Sequence, residues 1–267
     1  MALAGGVGLM ITPEIFISLC AVKALAKDGR CKTFDASGDG YGRGEGGGLI
    51  LLKPLSKALQ DNDPILAVIK SSAVNQDGPG SGLTVPNGQA QVELLKTALK
   101  EAHLEANDIN YLETHGTGTS LGDPIELNAI AKVYGEKRHA DNPLIIGSVK
   151  ANIGHLEAAA GVASVIKSVL CLQNKAVPPQ IHVEHVNPRL PLDTIPASIP
   201  FNKQALTTKN APLHAAISSF GFSGTNCHLI LEEYIEPPKS IPAADRPLHL
   251  FTLSAKNEAA LKDLIQA

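Results

Sequence analysis

Two histidines flanked by glycines are the residues of this sequence best suited to carry chemistry. His115 lies in the segment 110–126, NYLETHGTGTSLGDPIE, and His155 ends the segment 150–155, KANIGH. Each follows a run that reads as a strand, which is where α/β folds place their sites. A single histidine beside a glycine is more often a structural hydrogen-bonding residue. Together, the two imidazoles favour a site that stabilises a developing oxyanion.

Two charged residues accompany the histidines. Lys150 ends the predicted strand 144–149 and precedes the second histidine by five positions. A lysine paired with a carboxylate would tune or orient an imidazole. Glu126 is the candidate partner. The same glutamate would also complete a capping box with Asp123, because Asp, Pro and Glu at 123, 124 and 126 are typical of a helix start.

Backbone N–H groups and threonine hydroxyls are further candidates for the site. The segment 220–226, FGFSGTN, is predicted to be a glycine turn between two strands. Its backbone N–H groups could form half of an oxyanion hole, or the segment could be a plain hairpin. Thr117 and Thr119 lie in the first turn, where hydroxyls commonly bond to their own backbone.

Strands and helices alternate along the chain, which predicts an α/β layered fold. Strands are expected at 2–7, 49–53, 65–72, 111–113, 144–149, 215–220 and 228–232, the first three of them buried. Helices are expected from Thr12 as N-cap to about 26, from Asn87 as N-cap to about 103, from Asp123 onward, and at 156–173 as a nearly all-buried helix with a polar stripe. The glycine-rich stretch 34–48 predicts a loop with positive φ angles. A proline-rich stretch at 236–247 predicts a boundary, followed by a strand at 249–254 and a helix capped by Ser254.

Composition excludes several classes of function. The net charge is −3 and no basic cluster is present, which argues against a nucleic-acid partner. The longest apolar stretch, 158–172, is interrupted by polar residues and shorter than a membrane span. The four cysteines have neither metal-ligand spacing nor the density of a disulfide scaffold. A cytoplasmic protein without a bound metal is therefore expected.

Three ordered motifs carry a family resemblance: THGTGTSLGDPIE, KANIGHLEAAAG and SSFGFSGTNCHLILEE. They resemble the β-ketoacyl synthase (ketosynthase) domains of modular type I polyketide synthases. The flanking segments LAGGVGLMITPEIF and AVNQDGPGSGLTVPNGQAQ agree. The resemblance covers about residues 1–233, while 234–267 resemble the start of the linker that joins such a domain to an acyltransferase.

The resemblance implies a thiolase-like α/β/α/β/α fold and a decarboxylative Claisen condensation. A cysteine would take the acyl chain from an acyl carrier protein, and a malonyl-type extender would lose CO₂ to give an enolate. His115 and His155 match the catalytic histidines, with Lys150 and Glu126 as the conserved lysine and its acidic partner. Thr117 and Thr119 match the threonines that bind the phosphopantetheine arm, and Phe222 matches the gating phenylalanine. No intrinsic cofactor is implied; the partners would be the carrier protein, the adjacent acyltransferase domain and a second copy in a homodimer.

One departure from the family concerns the nucleophile. The family's cysteine lies some tens of residues before the motif that corresponds to 3–7. We therefore expect an N-terminally truncated ketosynthase that is inactive on its own. None of the four cysteines is expected to substitute, since each lies in a helix, a loop or a strand start: Cys20, Cys31, Cys171 and Cys227.

Two other hypotheses remain open. The chain could be a non-catalytic thiolase-fold partner that binds carrier protein, although such a partner would not need both imidazoles. It could also belong to a decarboxylase-type relative, in which the histidines act without a nucleophilic cysteine. The residue at the nucleophile position would separate this last hypothesis from an elongating ketosynthase.

Overall fold

A computed structural model describes residues 1–79, 82, 85–208, 212–237 and 252–266. The chain divides into two compact units, residues 1–234 and 235–267. We number the elements in chain order.

The described residues of the first part of the larger unit form three strands and three helices. These are β1 (Ala2–Gly8), α1 (Glu14–Ala21), β2 (Gly46–Leu52), α2 (Leu55–Asp61), β3 (Val68–Gln76) and α3 (Gly88–Ala102). The predicted cap of α3 is confirmed, because the Asn87 side chain accepts hydrogen bonds from Gln89 N and Ala90 N.

The remaining elements of this unit build most of the site. They are β4 (Tyr111–Glu113), α4 (Gly122–Tyr134), β5 (Leu144–Gly147), α5 (Lys150–Ile153), α6 (Ala160–Asn174), β6 (Ala176–Val177), β7 (Ala197–Ser198), β8 (Gln204–Ala205), β9 (His214–Phe220) and β10 (Thr225–Glu232). The predicted strand 111–113 matches β4, and the expected strands at 2–7, 49–53, 65–72, 144–149, 215–220 and 228–232 match to within a few residues.

Six strands form the central sheet in the order β3-β10-β9-β4-β5-β7. The neighbours β3, β10 and β9 are antiparallel, whereas β4 runs parallel to both β9 and β5. One face of the sheet packs on α3 and α4 through residues such as Leu95, Leu127 and Ile146. The other packs on α6 through residues such as Tyr111, Leu172 and Ile217. A sheet between helical layers confirms the predicted α/β layered class.

The first two strands are more exposed than the sequence predicted. β1 and β2 pair antiparallel in a sheet of their own. Leu3 and Leu49 are about 70% exposed on its outer face. Apolar composition alone predicted that both strands are covered, because it does not indicate which elements lie on each face.

Helix α6 turns its polar stripe inward, contrary to the prediction of a nearly all-buried helix. Ser164 and Ser168 are buried, whereas Ile166 and Leu170 are partly exposed. The reason lies in the sheet below, where Lys167 forms an ion pair with Glu113 of β4. Lys167 therefore pairs with a buried charge, and the polar stripe does not mark a solvated face.

Two predicted caps are wrong. Thr12 is not the N-cap of α1, because that helix begins at Glu14 after Pro13. Asp123 does not form a capping box with Glu126, since the N-cap of α4 is Leu121, two residues before Asp123. The oxygens of both carboxylates instead accept hydrogen bonds from backbone N–H groups outside the helix.

The glycine-rich loop is explained by close packing. Of the glycines in 34–48, only Gly40 has a positive φ, so the general expectation was wrong. A Cβ at Gly42 would lie 1.9 Å from Gly29 O, and one at Gly44 would lie 2.4 Å from Ile153 O. These glycines let backbone segments pass near the second histidine.

The smaller unit has one described helix, α7 (Glu258–Gln266). Asn257, and not Ser254, caps it by accepting from Ala260 N. The predicted boundary and the first part of the predicted strand 249–254 lie largely outside the described residues. Residues 252–254 are not in a strand.

No helix within the described ranges is long and apolar enough to cross a membrane. The described residues likewise contain no group of three or more His, Cys, Asp or Glu side chains placed to hold a metal ion.

Candidate active site

The fold brings the two histidines together. The ring centroids of His115 and His155 are 5.5 Å apart, with the planes at 80°. His115 follows β4 by two residues, as predicted. His155 does not follow a strand directly, because β5 ends at Gly147 and the short helix α5 intervenes. Its backbone forms an isolated bridge to Arg43 of the glycine-rich loop.

Backbone groups fix the orientation of both rings. Phe220 N donates a hydrogen bond to Nδ1 of His115 at 3.3 Å, and Glu157 N donates to Nδ1 of His155 at 2.9 Å. A ring nitrogen that accepts carries no proton, so in each neutral imidazole the proton lies on Nε2. Each histidine therefore offers one N–H donor.

The surroundings keep both imidazoles neutral. Burial, and after it the positive charge of Lys150, lower the pKa of His155 to about 3. Burial likewise holds the pKa of His115 well below its ordinary value, with Lys150 and His155 adding to the effect. Two neutral donors so close together suit a ligand oxygen that gains negative charge.

Two carboxylates of α4 shape the turn that carries His115. The oxygens of Glu126 accept from His115 N at 2.7 Å and Gly116 N at 2.9 Å. Burial raises the pKa of Glu126 to about 7, against the opposing effect of these two bonds. Asp123 accepts from Gly118 N and Phe34 N, and burial raises its pKa to about 6. The two carboxylates of α4 thus fix the backbone of the turn that carries His115.

Gly116 lets this turn bend. Its φ is +42°, and a Cβ there would lie 2.3 Å from Thr114 Oγ1. Its carbonyl oxygen accepts from Thr33 Oγ1 at 2.7 Å and from Ser148 Oγ at 3.0 Å.

Lys150 is buried, with 2% of its surface exposed, at the start of α5. Burial lowers its pKa, while the charges of Glu113 and then Glu126 act in the opposite direction. Glu126 and Lys150, both in the described part of the chain, do not approach within the 4 Å of an ion pair. Glu126 therefore acts on Lys150 through its charge, without a direct ion pair between the two side chains.

A cavity of about 730 Å³ opens in front of the histidines. Its lining includes all the predicted site residues except Lys150: His115, His155, Thr117, Thr119, Phe222 and Glu126. Phe222 is 62% exposed at the rim. Among the described residues, no group accepts from its backbone N–H. Thr117 Oγ1 lies 3.3 Å from Thr119 Oγ1, which accepts from Gly122 N at 3.2 Å.

No cysteine in the described ranges lines this cavity. Burial raises the pKa of the thiols of Cys31, Cys171 and Cys227, and Cys20 is exposed on α1. Raised pKa values leave little thiolate, which is the nucleophilic form.

Sequence reasoning missed the buried pair behind the site. Glu113 is fully buried, accepts from Val149 N at 2.6 Å and pairs with Lys167 Nζ at 2.8 Å. The Tyr111 hydroxyl also donates to this carboxylate. Two signals in the sequence could have indicated this pair. They are a glutamate at the end of a short apolar strand and a lone lysine in an apolar helix.

Family models match three stretches of the chain. They are the beta-ketoacyl synthase N-terminal domain at residues 1–58, the beta-ketoacyl synthase C-terminal domain at 66–184 and the ketoacyl-synthetase C-terminal extension at 187–267.

Curated relatives are far longer than this chain. Erythronolide synthase EryA3 of Saccharopolyspora erythraea is 45% identical over 262 residues, which are 98% of this chain and 8% of the relative. Polyketide synthase GfsA of Streptomyces halstedii is 47% identical over 237 residues, 89% of this chain and 3% of the relative.

Solved structures agree with these similarities. The ketosynthase from module 6 of the bacillaene synthase of Bacillus subtilis 168 has a TM-score of 0.85 and 40% identity, and covers the whole of this chain. The oxazolomycin ketosynthase domain OzmH KS7 of Streptomyces albus JA3453 has a TM-score of 0.87 and 40% identity, over 99% of this chain. The chain spans 46% of the length of each solved chain.

Proposed function

The chain belongs to the β-ketoacyl synthase family as part of a polyketide synthase ketosynthase domain, and we propose that its two histidines drive the decarboxylation that precedes condensation. The observation that carries this proposal is the pair of Nδ1 bonds to backbone N–H groups. These bonds leave two neutral Nε2–H donors at the same cavity.

The proposed step begins with a malonyl-type thioester in the cavity. The bond between its carboxylate carbon and its α-carbon breaks, and CO₂ leaves. The electron pair moves into an enolate whose negative charge develops on the thioester oxygen. His115 and His155 donate hydrogen bonds to that oxygen, and they act without transferring a proton because donors placed where charge develops lower the barrier.

The enolate carbon then attacks an acyl thioester on a cysteine, and the cysteine thiolate leaves. No cysteine of the described residues occupies that position. We therefore propose that the nucleophile belongs to a part of a full-length ketosynthase domain outside these 267 residues. The chain alone would supply the decarboxylating half of the centre.

Four further residues have proposed supporting roles. Thr117 and Thr119 bind the phosphopantetheine arm that carries the substrate, since both line the cavity. The Phe222 backbone N–H contributes to the oxyanion hole for acyl transfer, and its ring gates the rim. Glu126 holds the His115 turn and, with its charge, favours the charged form of Lys150.

The proposed partners follow from these substrates. An acyl carrier protein would deliver them, and an adjacent acyltransferase domain and a second ketosynthase copy would complete the module. The polyketide synthase relatives, of which this chain matches 8% and 3% of the length, have room for further domains, which supports the carrier protein and the acyltransferase as partners. No intrinsic cofactor is needed for the proposed reaction, because the carrier supplies the phosphopantetheine.

The test uses a full-length ketosynthase domain that carries this sequence and measures release of ¹⁴CO₂ from a carboxyl-labelled malonyl carrier protein. His155→Ala should lower the rate by roughly 10²–10³-fold, as expected for loss of one oxyanion donor. The matched control is His139→Ala, which removes a histidine outside the cavity lining and should leave the rate unchanged. Undiminished CO₂ release from His155→Ala would contradict the proposed role of this histidine.

A further inference from the structure

The hydrogen bond that holds the ring of His155 comes from a residue with unusual backbone geometry. Glu157 N donates to Nδ1 of this histidine at 2.9 Å. The φ of Glu157 is +51°, in the left-handed region that residues other than glycine rarely adopt. The residue begins the short 3₁₀ turn Glu157–Ala159, which precedes α6. Because this conformation is costly, the surrounding structure must hold it in place.

An arginine of the glycine-rich loop holds the Glu157 side chain. Arg43 donates from Nε to Oε1 at 2.6 Å and from Nη2 to Oε2 at 2.7 Å, so each carboxylate oxygen is bound. Only 1% of the Arg43 side chain is exposed, and its guanidinium lies 4.6 Å from the ring centroid of Phe16 in α1. A bidentate pair of this kind fixes the orientation of both side chains.

The backbone of Arg43 is also bound to the backbone of His155. The two residues form a parallel bridge, in which His155 N donates to Gly42 O at 2.7 Å and Gly44 N donates to His155 O at 3.0 Å. Three links therefore form a closed ring of contacts. The histidine backbone is bound to the arginine backbone, the arginine side chain to the side chain of Glu157, and the backbone of Glu157 to the imidazole.

The ion pair is the feature of position 157 that a glycine would lack. Glycine adopts a positive φ without strain, so the backbone conformation alone would favour glycine over glutamate here. The Glu157 side chain is 35% exposed and lines the catalytic cavity. A partly exposed ion pair is a weak source of stability. The place of this pair in the ring of contacts around His155 therefore indicates a role in the site.

We propose that Arg43 and the side chain of Glu157 are positioning residues that aim Glu157 N at Nδ1 of His155 and so keep the imidazole proton on Nε2. Neither side chain has to touch the substrate for this role. Without the ion pair, the turn is free to leave its conformation and the N–H to leave Nδ1. The proton of the neutral ring then divides between the two nitrogens. The catalytic consequence rests on the proposed function, whereas the effect on the tautomer does not.

The experiment records ¹⁵N spectra of the His155 ring in a full-length ketosynthase domain that carries this sequence. The spectra are taken at about pH 8, where an imidazole of ordinary pKa is also neutral. Glu157→Gly deletes the ion pair but tolerates a positive φ, and Arg43→Met deletes the pair from the other side. In both variants the Nδ1 and Nε2 signals, well separated in the parent domain, should move toward each other as the second tautomer is populated.

The double variant shows whether the two residues act through one pair. Glu157→Gly with Arg43→Met should give the same signals as Glu157→Gly alone, because the second substitution removes an interaction that is already lost. A change equal to the sum of the two single changes would overturn the proposal.

The matched control is Lys175→Gly. Lys175 also has a positive φ, +49°, and pairs with Glu233 at 3.1 Å, but it is the C-cap of α6, at the other end of that helix from the turn of Glu157. This substitution should leave the His155 signals unchanged. Unmoved signals in Glu157→Gly or in Arg43→Met would overturn the proposal, as would an equal movement in Lys175→Gly. If one of the two variants does not fold, the other decides alone.

The rate of CO₂ release provides the second readout. Both variants should release ¹⁴CO₂ about two- to tenfold more slowly, because some of the molecules then hold the imidazole proton on Nδ1. A changed tautomer with an unchanged rate would overturn the catalytic consequence. A parent domain that releases no CO₂ would contradict the proposed function, while the ring signals would still decide the role of the ion pair.

Discussion

At the residue scale, the tautomer and the charge of His115 and His155 are set by the groups that surround each ring. A backbone N–H on each Nδ1 determines the tautomer, and burial next to Lys150 keeps each ring uncharged. The residue types and the order of the motifs predicted both histidines as site residues; the structure places the two rings together, and their catalytic role stays a prediction. The tautomers were not predictable, because Phe220 is 105 positions from His115 in the chain.

Glu113 shows the limit of sequence reading for single residues. It lies two positions before His115 and reads as an ordinary strand residue. Its partner is far along the chain in α6, so only the folded structure shows that the carboxylate is buried and paired. Glu126 was predicted as an acidic site residue, but its bonds to the backbone of the His115 turn were not foreseen.

At Thr117 we predict a modest loss of substrate binding. Thr117→Val removes a hydroxyl from the cavity wall while keeping its shape, at a cost of about 0.5–1.5 kcal/mol for one hydrogen bond. The KM for carrier-bound substrate should rise correspondingly in a full-length domain. Thr97→Val is the control, because the Thr97 hydroxyl bonds to Glu93 O on the exposed face of α3. An unchanged KM in Thr117→Val would count against a role in arm binding.

At the scale of elements, loops do most of the positioning. β4 and α4 hold the turn that carries His115. The glycine-rich loop holds the segment that carries His155, because Gly42 O accepts a hydrogen bond from His155 N at 2.7 Å. Helical periodicity and β-prone runs predicted the main helices and strands. Starts and caps were less accurate, because Asp123 and Glu126 bond to distant turns.

Gly42 tests this positioning. A Cβ there would meet Gly29 O at 1.9 Å, so Gly42→Ala must displace backbone that holds His155. We expect a loss of roughly 1–3 kcal/mol in the free energy of unfolding, measured by urea denaturation, together with slower CO₂ release.

The matched control for this substitution is Gly161→Ala in α6. The nearest atom to a Cβ at Gly161 is Ser219 Oγ at 3.7 Å, which is ordinary contact. Higher helix propensity should then stabilise the domain by up to about 1 kcal/mol. Equal effects of the two substitutions would contradict the account of the loop.

For the whole molecule, the sheet and its two helical layers could be predicted from the alternation of strands and helices. The faces of the strands and helices that are covered could not be predicted from this alternation. The outward apolar residues of β1 and β2 and the inward polar stripe of α6 both reverse the expectation from composition. The assignment of residues 1–233 and 234–267 to a ketosynthase domain and a linker stays a prediction.

The cysteines give a prediction for the whole chain. The polypeptide of 267 residues, incubated with an acyl thioester, should show no acyl increment in its intact mass, because the thiols of Cys31, Cys171 and Cys227 have raised pKa values. Cys20 is exposed and is replaced by serine to exclude non-specific labelling. A full-length ketosynthase domain serves as the positive control. Acylation of the Cys20→Ser chain would contradict this prediction.

The protonation state of His115 and His155 tests the central claim most directly. We would record ¹⁵N spectra of a histidine-labelled full-length domain that carries this sequence between pH 5 and 8, assigned with His115→Ala and His155→Ala. Because the pKa of His155 is lowered to about 3 and that of His115 lies well below its ordinary value, both rings should stay neutral, with the proton on Nε2 throughout. A titration of either ring near pH 6.5, or a proton on Nδ1, would contradict the account.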